Sequence, residues 1–197
     1  MANSFREIKI QPRHWDIASE RLGHFPPFKN SKRGIQGKEV GFLGEVIFEE
    51  WLSQHGIVFR DERYKTTHDY TVSNRHTVEI KTKDRTVAPQ KYFDNSVPLY
   101  NHNHQRPDFY YFLSLLRDWS NTSHLITRFT HAYIVGGVDI ATLEREGKQW
   151  AENEVDPSNG TKFWTGCINL RMDQLIDNYE LLEFFRSSPT IANNNNV

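Results

Sequence analysis

Hydrophobic positions along the chain recur at two different spacings, and the spacing separates helices from strands. Between 35 and 54, apolar residues fall at 43, 47 and 51 with 42, 46 and 52 beside them, which is the repeat of one helix face. A helix is predicted over about 35–54, with Gly56 as its stop. Residues 5–10 alternate polar and apolar and predict an edge strand, and 14–22 a short helix. The stretch 23–34 is dense in Gly, Pro and cations and predicts a loop. Strands are expected near 57–60, 65–72 and 77–83. Residues 84–107 show no period and read as one long irregular segment; such a segment in a small domain is commonly functional, so it is expected to border a substrate groove. On that reading, deleting most of 92–105 weakens substrate binding more than folding.

Further on, 108–116 is a continuous apolar and aromatic run and predicts a central strand buried on both faces; 131–137 predicts another. Asp139 through Gly147 has an acid at its start and a glycine at its end, the signature of a short helix. A strand over 162–170, a short helix over 172–176 and a last element over 179–185 follow. Residues 191–197 are expected to be a disordered tail. Strands before, between and after helices predict an α/β fold, a central mixed β-sheet flanked by helices, in a single domain over 1–190.

The chemistry gathers between Asp69 and Lys81. Ser73, Asn74 and Arg75 form a turn signal, since Asn and Ser bond their own backbone and Asn tolerates positive φ. In the strand that follows, Val78 and Ile80 point to one face, and Glu79 and Lys81 to the other, about 6.6 Å apart at roughly 3.3 Å per residue. Folding the hairpin brings Asp69 beside Glu79. Glu45 lies beside the apolar stripe of the long helix, where a core-facing helix can aim a carboxylate at the sheet. Two acids next to an amine suit a hard divalent cation and a water poised against a phosphodiester.

A helix with Gly44-Glu45, a strand entering Asp69, and then Glu79-Ile80-Lys81 resemble the PD-(D/E)XK nuclease superfamily, strongly over about 34–85 and weakly to about 185. The resemblance implies a restriction-endonuclease-like core and a metal-dependent DNA endonuclease. It implies that Asp69 and Glu79 bind Mg²⁺ or Mn²⁺, that the Ile80 carbonyl contributes a ligand, that Glu45 completes the site and that Lys81 orients the water. Three features depart from relatives. His68 stands where proline is common, Gln90 precedes Lys91-Tyr92 rather than a Gln-x-x-x-Tyr helix, and cluster-binding cysteines are absent. Many members are dimers, so a homodimer is compatible. The alternatives are a non-catalytic nucleic-acid-binding module that kept the fold, and an α/β protein whose Glu79 and Lys81 are only an ion pair.

Net charge is −1, which argues against a strongly basic nucleic-acid binder. The cations are nonetheless uneven. Residues 29–38 carry Lys29, Lys32, Arg33 and Lys38 with no acid, and Lys81, Lys83 and Arg85 follow one another down a strand, whereas 137–157 holds six acids and two bases. Lys32, Arg33, Lys38, Lys83 and Arg85 are therefore candidate phosphate contacts. No run of 18 apolar residues occurs, no secretory h-region opens the chain, and the single Cys167 excludes an internal disulfide; a cytoplasmic protein without a membrane span is the expectation. Cys167 reads as a buried thiol. His102 and His104 lack a third ligand at zinc spacing, His68 reads as packing, and Trp119, Trp150 and Trp164 as core ahead of base-stacking platforms. Glu49 and Glu50 read as mostly solvated, with Glu49 one turn from Glu45.

Overall fold

The computed structural model describes residues 5–24, 34–65, 67–121, 123 and 125–187, with side chains in the long helix described from 37 onward. Strand β1 (Arg6–Lys9) and helix α1 (Pro12–His24) lead to α2 (Gly34–Gln54). Then come β2 (Phe59–Asp61), a 3-10 turn at Arg63–Lys65, β3 (Tyr70–Val72), β4 (His76–Arg85), β5 (Asp94–Pro98) and the single-turn α3 (Leu99–His102). The chain continues through β6 (Phe109–Arg117), β7 (Phe129–Asp139), α4 (Ile140–Glu146), β8 (Lys148–Trp150), β9 (Cys167–Arg171) and α5 (Asn178–Ser187).

Six strands form a mixed sheet in the order β1-β7-β6-β4-β3-β2, in which only β4 and β6 run parallel. A second, antiparallel sheet has the order β5-β9-β8. Central strand β6 shows why both layers are needed. Its Tyr111, Leu113 and Leu115 join Phe48, Trp51, Leu52, Val78 and Ile80 in the core beneath α2. Its Tyr110 and Phe112 join Val97, Val138, Leu143, Ile168 and Leu170 beneath the second sheet and α4. From 109 to 116 the run is apolar except at Ser114, which is what a strand covered on both faces requires.

The long helix ends where the glycine signal sets it, with Gly56 at φ 68°. The hairpin turn has Ser73 at φ 53° and Asn74 at φ 56°. Helix α4 starts on the acid cap expected of it: the Asp139 carboxylate accepts from the Thr142 amide. Among the described residues no helix is long and apolar enough to cross a membrane.

Three expectations change. Residues 84–107 are not one irregular loop: β4 runs to Arg85, and 94–98 is a strand whose Val97 is fully buried. Asp94-Asn95-Ser96 and the closing Pro98 carry too little hydrophobic signal to show it, and its removal costs core packing as well as any groove. The strand expected at 162–170 begins only at Cys167, and β8 carried no periodic signal at all. Gly136-Gly137, which reads as a strand terminus, lies inside β7; there the 172–177 segment crosses, and Gly137 and Ile176 exchange backbone hydrogen bonds. A side chain at Gly136 would meet the Ile176 carbonyl at 2.6 Å. The 191–197 tail lies outside the described residues.

Candidate active site

The site is made by a hairpin whose strands have unequal lengths. β3 pairs with β4 only from Tyr70↔Val78 to Val72↔His76, while β4 continues to Arg85 along β6. At the fork the Asp69 amide still donates to the Val78 carbonyl at 3.1 Å. The Asp69 carboxylate then takes over where β3 stops and accepts from the Ile80 amide at 2.7 Å. In an extended strand the carbonyl of a residue points to the same edge as its amide, so the Ile80 carbonyl faces the gap that Asp69 caps.

On the opposite face of β4 from Val78 and Ile80, Glu79 is buried, at 4 % exposure. Its Oε1 accepts from Lys81 Nζ at 2.7 Å, and its Oε2 is buried with no hydrogen-bond partner. Lys81 Nζ also reaches Gln105 Oε1 at 3.4 Å. Gln105 offers its backbone carbonyl to the Tyr110 hydroxyl, which lies 2.9 Å from Nδ1 of buried His102, and His102 in turn meets Glu144.

Helix α2 reaches this fork through Gly44. A Cβ there would overlap the Thr82 hydroxyl and come within 2.9 Å of Thr82 Cβ, so only glycine lets the helix lie this close to β4. The close approach seats Glu45 near the hairpin acids. Burial pushes Glu45 up to about 7 against the pull of Arg63, with the Glu79 charge adding to the rise. Burial likewise holds Asp69 well above the usual carboxylate range, and the charges of Glu79 and then Glu45 push the same way. Glu45 and Asp69 are thus both raised by burial and by the charge of Glu79, as expected of acids that share one low-dielectric region.

Glu45 is also committed elsewhere. Its Oε2 takes Arg63 Nη1 at 2.7 Å, and Arg63 binds Asp61 as well. Among the described residues, no group of three or more His, Cys, Asp or Glu side chains is arranged to hold a metal ion. The oxygens at the fork that could be offered to a divalent ion are the Asp69 carboxylate, the unpartnered Oε2 of Glu79 and the Ile80 carbonyl. One or two carboxylates are the usual protein share for Mg²⁺, which keeps its waters and takes substrate phosphates.

Sequence reasoning missed Arg63 and Gln105. Arg63 sits on a 3-10 turn and Gln105 just after α3, and neither has a periodic signal; only the fold brings them to Glu45 and Lys81. Other expectations are corrected. Glu49 and Glu50 are not simply solvated: Glu49 binds Arg21 and accepts from the Tyr70 hydroxyl, and Glu50 binds Arg13 and His14. Trp119 and Trp164 are exposed, while Trp150 is core and stacks on Phe163. His68 binds Glu62, a buried acid that also holds Arg60, Lys65 and Thr71. Cys167 is a buried free thiol.

Lys32 and Arg33 lie outside the described residues, and Lys38 is half-buried in the first third of α2. Lys83 and Arg85 do not stand free as phosphate contacts. Lys83 Nζ donates to the Asp94 carbonyl at 2.9 Å and to Ser96 Oγ at 3.2 Å; Arg85 donates to Ser114 Oγ and to the same carbonyl. No known protein-family model and no curated protein matches the chain.

Proposed function

We propose that this chain is a metal-dependent nuclease with a restriction-endonuclease-like core, hydrolysing phosphodiester bonds in DNA. The observation that carries the reading is the fork itself: Asp69, Glu79 and Lys81 meet at the point where β3 leaves β4, and one buried carboxylate oxygen there has no partner. Leaving a buried acceptor unsatisfied costs about 1–3 kcal/mol, which a bound cation would offset. A divalent ion, Mg²⁺ or Mn²⁺, would supply Lewis acidity toward the phosphate and a water of lowered pKa.

The protein's own groups do the rest. Asp69 and Glu79 hold position because one is anchored on the Ile80 amide and the other on Lys81. With a cation on Glu79, the Lys81 ammonium would be available to hold the attacking water or to neutralise charge on the phosphate. Gln105 limits how far that ammonium can swing. Glu45, linked to Arg63, adds negative charge behind the acids rather than a direct ligand. A homodimer would pair two such sites on two strands.

The closed Glu79–Lys81 pair also supports a second reading, a DNA-binding module that kept the fold without catalysis. Incubation with plasmid, linear duplex, single-stranded and branched DNA, in Mg²⁺, Mn²⁺ or EDTA, separates the two. Cleavage that needs the metal and vanishes in Lys81→Ala supports the nuclease; binding without cleavage in every metal supports the module.

A further inference from the structure

Beyond Lys81, the same face of β4 carries Lys83 and Arg85 into a cavity of ≈700 Å³ between the end of β4, the start of β5, Asn169 on β9 and the 156–163 loop. We propose that this cavity is a nucleotide subsite that takes one unstacked nucleotide of the substrate, a short distance along the strand from the cleaved bond. The proposal rests on the nuclease reading for its substrate class.

Three observations converge. The first is the charge on Arg85. Its hydrogen bonds go to neutral oxygens, a serine hydroxyl and a backbone carbonyl, and burial draws it down to about 10 despite the nearby Asp94. A guanidinium buried against neutral acceptors is poorly compensated, and a phosphate on the cavity side supplies the missing charge. Lys83 donates to the same Asp94 carbonyl and faces the same space.

The second is the state of the acids. Asp84, Asp94 and Asp156 also line the cavity, so its formal charge is balanced, but each acid is engaged. Asp84 pairs with Arg117, Asp94 accepts from the Asn169 amide, and Asp156 accepts from Ser158 and Asn159. A wall offering cations, amides and hydroxyls together matches a nucleotide, whose phosphate is an anion and whose base edge carries both donors and acceptors.

The third is the aromatic rim. Phe93 lines the cavity and lies under Arg85, 5.2 Å from guanidinium carbon to ring centroid. Tyr92, packed edge-on against Phe93, is 68 % exposed. Trp119 is 76 % exposed, and its indole donates to the carbonyl of the cavity-lining Thr86. Exposed rings beside cations are a stacking platform for bases. The volume lies in the range of single-ligand pockets, about 300–1,000 Å³, and admits an unpaired nucleotide but not a stacked duplex.

Along an extended strand, Lys83 and Arg85 lie about 7 and 13 Å beyond Lys81, the reach of one or two backbone phosphates.

The test is binding in EDTA, where no cleavage occurs. Fluorescence anisotropy with labelled oligothymidylate is measured on the wild-type chain, on Arg85→Gln, and on Tyr92→Ala, whose exposed side chain can be removed without touching the core. The expected result is at least fivefold weaker binding in both variants, at unchanged melting temperature in Tyr92→Ala, with thymidine monophosphate competing and blunt duplex binding more weakly than single strand. Unchanged affinity in Tyr92→Ala, or equal affinity for duplex and single strand, overturns the subsite. The nuclease reading fails differently, by absence of metal-dependent cleavage in the wild type, so the two outcomes are separable.

Discussion

The carboxyl of Asp69 sits where ionisation is least favoured: buried, and facing the charges of Glu79 and Glu45. A carboxyl whose pKa is higher in the folded than in the unfolded chain stabilises the fold while protonated. For Glu45 that contribution is complete below about 4.5 and is lost as pH rises through about 7; Asp69 behaves in the same sense. Asp69→Asn keeps an oxygen for the Ile80 amide and removes the charge. In EDTA it should therefore be more stable than wild type by ~1–2 kcal/mol at pH 8, with the gain shrinking toward pH 5. Urea unfolding at the two pH values measures this, and a gain independent of pH would refute the shared-charge account. If the chain is the proposed nuclease, the same substitution should lower cleavage by ~10³ or more, since several kcal/mol of transition-state stabilisation would depend on the cation assigned to Asp69.

Helix α2 and the β3–β4 hairpin were legible in the sequence because each is locally specified. The helix announces itself by apolar spacing and Gly56, and the hairpin by its alternation and by Ser73-Asn74. What was not legible is how closely they approach, which depends on Gly44 meeting Thr82, 38 positions away. Gly44→Ala should destabilise the chain by ~1–3 kcal/mol and reduce cleavage further than its stability loss explains, because the shifted helix carries Glu45 away from the fork. Activity measured at a temperature where both proteins remain folded distinguishes the two effects. At the turn, Ser73 adopts a left-handed conformation that glycine tolerates at lower cost. Ser73→Gly is expected to raise stability by ~0.5–1 kcal/mol with cleavage unchanged, as checked by thermal melting and plasmid nicking.

Over the whole chain, the mixed sheet and its helices follow from patterns that any local window contains, while the second sheet does not. β5 is polar in sequence and becomes a strand only because β9 pairs with it from 73 residues downstream, at Ser96↔Asn169. Arg63 and Gln105 reach Glu45 and Lys81 for the same non-local reason, and so do the walls of the cavity. A cation that binds the folded site alone must stabilise the entire molecule. Mg²⁺ at about 100 times its dissociation constant should add ~2.7 kcal/mol. The shift in melting temperature should grow between pH 5 and pH 8 as Glu45 loses its proton, with the raised Asp69 acting in the same sense, and should disappear in Asp69→Asn.

Pairing β4 with β6 in parallel obliges the chain to travel back the length of a ten-residue strand before it can start again at Phe109. That return path is residues 86–108, and two of its contacts with β4 mark positions along the strand: Ser96 meets Lys83, and Gln105 meets Lys81. The connection thus works as a ruler laid along the strand. Lengthening or shortening it between those two marks would slide one contact relative to the other, so this segment has less freedom to vary in length than an ordinary surface loop.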